Sequence, residues 1–123
     1  MSGSFRVIIA GSRGFNDYPL LASTMDTLLQ NITVPIVVIC GMARGADLLG
    51  ERYALDRGFQ VQRFPADWDK YGKRAGYIRN EEMAKNADAL VAFWDGESHG
   101  TKHMIELANR YGLKVRVKRY GTR

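Results

Sequence analysis

The chain has 123 residues, 46% of them hydrophobic, enough to close one core and too few for two. Charged residues make up 25%, with no repeat or low-complexity stretch, which excludes an extended disordered protein. The net charge of +5 points to anionic partners (nucleotides, nucleic acid or acidic proteins), while no run of about 18 apolar residues occurs, so no membrane partner is expected.

The opening MSGSFRVIIAGSRG reaches a glycine before a signal-peptide core could form, so a cytoplasmic chain is expected. Its run VIIA (7–10) is the first of three that are apolar throughout, the others being IVVIC (36–40) and ALVAF (89–93). Each is rich in β-branched or aromatic residues and meets a glycine within a few positions, the pattern of a strand covered on both faces. After the first run, Asp17 and Pro19 signal a helix start, and Leu21, Met25, Leu28, Leu29 and Ile32 form one stripe. Cys40 ends the second run. As the sole cysteine it can form no internal disulfide, fits a reducing compartment and leaves no cysteine cluster for zinc or iron–sulfur. A second helical pattern starts around Gly45–Asp47, carries Leu49 and Tyr53, and stops near Gly58. FQVQRF (59–64) then alternates, so one of its faces is wetter. A third helical pattern, about 75–87, has a weaker periodicity. The fourth places Met104, Leu107, Ala108 and Tyr111 at i, i+3, i+4 and i+7 and ends at Gly112. LKVRVKR (113–119) alternates again, with lysines that discourage edge-to-edge pairing. The basic residues Lys114, Arg116, Lys118, Arg119 and Arg123 read either as a solvated strand and tail or as a nucleic-acid patch.

Strand–helix alternation with short loops predicts an α/β fold with right-handed crossovers. The three apolar strands belong at the centre and the two alternating ones at the edges. The expectation is one domain over residues 1–123, a single Rossmann-like doubly wound parallel sheet of five strands in the order 3-2-1-4-5. The chain then reverses between strands 1 and 4, where a ligand crevice opens beyond the carboxyl ends of the strands.

Three glycine-rich loops are delivered to that point: GSRGFND (11–17), GMARGAD (41–47) and DGESHGT (95–101). Glycine lets amides approach a ligand closely, and a helix N-terminus adds unpaired donors and partial positive charge, a combination that suits phosphate. Hydroxyls and cations lie in the same loops: Ser12, Arg13, Arg44, Ser98 and Thr101. The candidate anion-binding set is therefore Gly11, Ser12, Arg13, Gly41, Arg44, Gly45, Asp47, Gly96, Ser98, Gly100 and Thr101. Plainer readings stand beside it: glycine after a parallel strand can simply be the turn the fold needs, and Asp47 can simply cap its helix. Asp95 reads as a loop acid or as an acceptor for ribose hydroxyls. Arg79 and Asn80 join the candidates because they are polar early in the third helical pattern, where a side chain can reach a phosphate. Around them lie Lys70, Lys73 and Arg74, and Trp68 and Trp94 read as core residues or as stacking surfaces for a base. His99 and His103 share a helix face by spacing, but without a third ligand they predict no metal site. No cofactor is expected either, since there is no GxxxxGK[ST] and GSRG falls short of GxGxxG.

Together GSRGFND, GMARGAD, YGKRAGYIRNEEMA and WDGESHGT resemble the SLOG superfamily of Rossmann-like proteins, in its YspA/YpsA-related branch, over residues 6–118. The resemblance implies binding of a nucleotide or nucleotide-derived small molecule, in a bacterial or phage setting. It also implies a homodimer, since relatives associate through helices, although no exposed apolar stripe singles out an interface. Two kinds of relative frame the alternatives: the Lonely Guy phosphoribohydrolases, which split nucleoside monophosphates, and DNA-processing protein A, which binds single-stranded DNA. By that likeness Gly41, Gly45 and Asp47 match the loop after strand 2, Arg79 and Asn80 the RN of the third helix, and Gly96, Gly100 and Thr101 the phosphate-cradling GG-x-GT. The match then breaks, because the phosphohydrolases' catalytic glutamate is Met104 here. Glu106 lies some 200° around the helix from Met104, on the solvent side. If the chain is a nucleoside-phosphate N-glycosidase, which needs a carboxylate against the sugar, Glu97 is the first replacement and Asp95 the second.

Overall fold

Successive side chains of a strand point to opposite faces, and here both faces of the inner strands are covered, which is why those runs are apolar throughout. In the computed structural model, which describes residues 3–121, β1 (Phe5–Gly11), β2 (Ile36–Cys40), β3 (Gln60–Arg63), β4 (Ala89–Trp94) and β5 (Lys114–Arg119) form one parallel sheet in the order β3-β2-β1-β4-β5. Arg123 lies outside the described residues. The register pairs Val7 with Val38 and with Ala89, and Val91 with Arg116; β1 pairs with β2 from Phe5 to Ile8 and with β4 from Val7 to Gly11.

On one face Val7, Ile9, Val38, Val91 and Phe93 pack against α1 (Tyr18–Leu29) and α2 (Ala46–Arg57), through Leu21, Met25, Leu29, Tyr53 and Ala54. On the other, Ile8, Ala10, Ile39, Leu90 and Ala92 meet α4 (Ala75–Lys85) and α5 (His99–Arg110), through Met83, Ala84, Met104, Leu107 and Ala108. The edge strands stay wet, with most residues of β3 and β5 exposed. No helix among the described residues is long and apolar enough to cross a membrane.

Helix starts follow local chemistry. Asp17 caps α1 by accepting from the Leu20 amide at 3.1 Å, with Pro19 in the first turn. At the far end of α2, Gly58 takes the left-handed conformation, φ 75°. Three details depart from the sequence-based expectation. A short helix, α3 (Trp68–Tyr71), capped by Asp67, and a 3-10 turn (Gly72–Arg74) precede α4; four residues are too few to show a helical period. Trp68 is 53% exposed rather than core. Tyr111 lies one residue past the end of α5 with its ring largely in solvent, where its hydroxyl donates to Glu81 Oε2 at 2.9 Å, so the apolar stripe of that helix stops at Ala108.

Candidate functional site

Because the chain reverses between β1 and β4, their loops leave the sheet in opposite directions around one crevice. Ser12 ties the loops together. Its amide donates to Phe93 O at 3.0 Å, its carbonyl accepts from Phe15 and Ala46 at 3.1 and 3.4 Å, and its hydroxyl accepts from the Asp95 amide at 3.1 Å. At 2% exposure it is a buried hydroxyl joining the ends of β1 and β4 to the start of α2. Gly45, at that start, must be glycine: its φ is +80° and a Cβ would lie 2.3 Å from Ser12 O. Gly41 leaves room for two side chains: a Cβ there would meet the Arg79 guanidinium at 2.7 Å and the Asp47 carboxylate at 2.9 Å, and both would have to shift.

That guanidinium and carboxylate form the polar floor. Asp47, 5% exposed at the second position of α2, accepts from the Ala43 amide at 3.3 Å, outside its own helix, so it does not cap α2. Burial pushes its carboxyl up to about 6, opposed chiefly by Arg79 and then by that amide. Arg79 donates to the Gly41 carbonyl and, through Nε, to Asn80 Oδ1 at 3.0 Å; burial lowers its own pKa, against the pull of Asp47. Asn80, 6% exposed, extends the network from α4 to α5: its Nδ2 lies 3.3 Å from Gly100 O, a bond it donates, and 3.2 Å from His103 Nδ1. His103 packs edge-on against Tyr77, and its burial lowers its pKa, which keeps the ring neutral and able to accept.

The loop after β4 is shaped by Asp95, whose Oδ1 accepts from the amides of Glu97 and Ser98 at 2.8 and 2.9 Å. Those amides hold its carboxyl below the usual range, so it is ionised at neutral pH. Ser98 leads α5 without capping it by its side chain; instead its hydroxyl lies 3.2 Å from that of Thr101, which is buried one turn in. Nor does any side chain cap α2, whose N-cap is Gly45. The α2 start is turned to Ser12, whose carbonyl takes the Ala46 amide, and the uncapped start of α5 faces the space between the loops.

That space is a cavity of about 410 Å³, lined by Gly11, Ser12, Arg13, Gly14, Ala43, Asp47, Arg79, Asn80, Asp95, Ser98, Gly100 and Thr101, with Ala10, Met83 and Met104 as its apolar wall. Of the residues expected from the sequence, the structure thus brings Gly11, Ser12, Arg13, Asp47, Arg79, Asn80, Asp95, Ser98, Gly100 and Thr101 together. Gly41 and Arg44 line an adjoining hollow instead, and Gly45 lines neither. Gly96 turns the chain with φ +88° beneath the guanidinium of Arg119, which also sits over Trp94; it is a turn residue outside the lining. Glu97 is exposed and outside the lining, whereas Asp95 is within it. Sequence reasoning missed Ala10, Gly14, Ala43 and Met83 as lining residues, which are small or apolar and carry no chemical signal, and it weighed His103 only for a metal; the contact of that histidine with Asn80 depends on α4 and α5 packing side by side. Among the described residues no group of three or more His, Cys, Asp or Glu could hold a metal ion. Cys40 is buried and free, its thiol pushed up to about 11 by burial.

The pneumococcal DNA processing protein A (DprA) from Streptococcus pneumoniae has a similar fold: 93% of this chain superposes on 50% of that one with a TM-score of 0.71, at 17% sequence identity. In sequence, the chain is 38% identical over 116 residues to the Gene 61 protein of Mycobacterium phage D29, covering 89% of this chain and 93% of the relative. The model of the YspA, cpYpsA-related SLOG family matches residues 5–71, the span holding the first two glycine-rich loops, and the chain belongs to that family.

Proposed function

We propose that this protein binds a small phosphorylated nucleotide or nucleotide derivative in the crevice between β1 and β4, as a binding or sensing module. The observation that carries this is the convergence on one cavity of the uncapped start of α5, the hydroxyls of Ser12, Ser98 and Thr101, and the guanidinium groups of Arg13 and Arg79. That helix start contributes roughly half a positive charge, and charge-assisted bonds from arginine are about twice as strong as neutral ones. The cavity volume falls inside the ~300–1,000 Å³ typical of small-molecule sites.

Calorimetric titration with nucleoside mono- and diphosphates and cyclic nucleotides tests this reading. Micromolar binding is expected, weakened about tenfold or more in Arg13→Ala, which changes an exposed side chain and leaves the fold alone. A folded sample that binds no member of the panel overturns it.

A second reading has one observation in its favour, the Asp95 carboxylate in the lining: hydrolysis of the N-glycosidic bond of a bound nucleoside phosphate. Free base should then accumulate with the native chain and not with Asp95→Asn. Binding without turnover leaves the first reading alone standing.

A further inference from the structure

Beside the crevice, and sharing Arg13 and Arg79 with it, lies a second hollow of about 530 Å³ between the loop after β2 and the start of α3. Its walls divide by chemistry. Met42, Pro65 and Trp68 supply an apolar surface, while Arg13, Arg44 and Arg79 supply cations, and no carboxylate lines it. Trp68 is 53% exposed and Met42 42%, so both apolar side chains are open to a ligand entering the hollow. Met42 is also the one non-glycine among the described residues with a positive φ, 64°, a conformation disfavoured for a bulky side chain and concentrated at functional sites. The indole is held where it is by its neighbours. Asp67 caps the short helix that begins with Trp68, and Gly76 leaves room between ring and cation: a Cβ there would meet Trp68 at 3.6 Å and Arg79 Nη2 at 3.8 Å. Arg13 and Arg44 are exposed and make no ion pair among the described residues.

We infer that this hollow is a base subsite, and that the ligand is a nucleoside diphosphate lying across both spaces. Its terminal phosphate meets the N-terminus of α5 in the crevice, its inner phosphate passes between Arg13 and Arg79, and its base stacks on Trp68. This rests on the crevice holding phosphate, as proposed above, and adds what lies beyond the phosphate. An exposed indole beside unpaired guanidinium groups complements a planar aromatic ring carrying negative charge, because every nucleobase has a π-face to stack and the arginines meet the phosphates.

The test is calorimetric titration of the native chain, Trp68→Ala and Trp68→Phe with ADP, AMP and pyrophosphate, together with tryptophan emission. Trp68 is exposed, so both variants are expected to fold. ADP should bind more tightly than AMP or pyrophosphate and quench the emission. W68A should weaken ADP about tenfold, abolish most of the quenching and leave pyrophosphate unchanged, and W68F should restore most of the affinity. If ADP binds equally well to W68A, the base subsite is refuted while the phosphate crevice stands. If neither ADP, AMP nor pyrophosphate binds the native chain, both are refuted. If oligodeoxythymidylate binds and ADP does not, the hollow belongs to a nucleic-acid path and the nucleoside diphosphate is excluded.

Discussion

Arg79 is half-buried and spends its guanidinium on the Gly41 carbonyl and Asn80 Oδ1, while Asp47 is buried and feels its charge without an ion pair to it. Arg79→Met, which strips those two acceptors of their donor, is expected to lose about 1–3 kcal/mol of stability in urea unfolding. Asp47 sets a pH dependence. Asp47 has its folded pKa raised from 3.8 to about 6, so its contribution to stability is fully present below about 4 and is lost as pH rises through about 6. Asp95 and Asp26 are shifted the other way and act below that window, their contributions disappearing as pH falls below the ordinary carboxylate value. The urea midpoint of the native chain should fall between pH 4 and 6, and Asp47→Asn should flatten that stretch alone. Much at this scale was readable in advance, because Ser12, Arg13 and Thr101 stand out by polarity beside glycine and Asn80 by polarity early in a helix with a weak apolar stripe. The partnership of Arg79 with Asp47 was not, since 32 positions separate them in sequence and only Gly41, with no side chain to intervene, lets them approach.

Among the elements, α2 meets the sheet through a glycine. Gly50 lies on Ile9, where a Cβ would come within 2.7 Å of Cγ2, so the helix sits directly on β1 and carries the Gly45 turn with it. Gly50→Val is expected to cost about 1–3 kcal/mol by overpacking and to disturb the crevice as well. Its outer side is held by Asp26 of α1, which accepts from the Tyr53 hydroxyl at 2.6 Å and from Arg57 Nε and Nη2 at 3.0 and 2.8 Å. The Asp26 side chain is half exposed, so the ion pair itself contributes little; stripping the buried Tyr53 of its hydrogen-bond acceptor costs more. Asp26→Ala should cost about 1–2 kcal/mol and remove part of the stability lost between pH 4 and 2, measured by chemical denaturation across that range. Sequence periodicity is a poor guide to a helix of this kind: α2 is fixed by a glycine contact and a polar tie rather than by a stripe.

At the scale of the whole molecule, a net charge of +5 is compatible with either a small anion or a nucleic-acid strand. Salt separates them. A nucleotide held by a few charge-assisted bonds should lose little affinity between 50 and 200 mM salt, whereas a strand contacting six or more phosphates loses roughly a thousandfold or more, read from binding isotherms across that range. The exposed cations Lys73, Arg74, Lys114, Arg116 and Lys118 line neither cavity, so their replacement should leave nucleotide affinity within about twofold.

What the amino-acid sequence determined by itself was the sheet: three runs apolar on both faces belong at the centre, two alternating runs at the edges, and with right-handed crossovers the Rossmann-like order 3-2-1-4-5 that this pattern suggests is the one the structure has. From that order followed the crevice and the loops that meet there. What only the tertiary structure decided was which members of those loops face inward. Gly96 turned out to serve Arg119 and Glu97 to face solvent, while Asp95 and Met83 reached the cavity. Strand burial is written in local composition, because each apolar residue reports its own transfer from water. The direction of a loop side chain depends on turn geometry and on partners far away in the chain, and no local pattern records those.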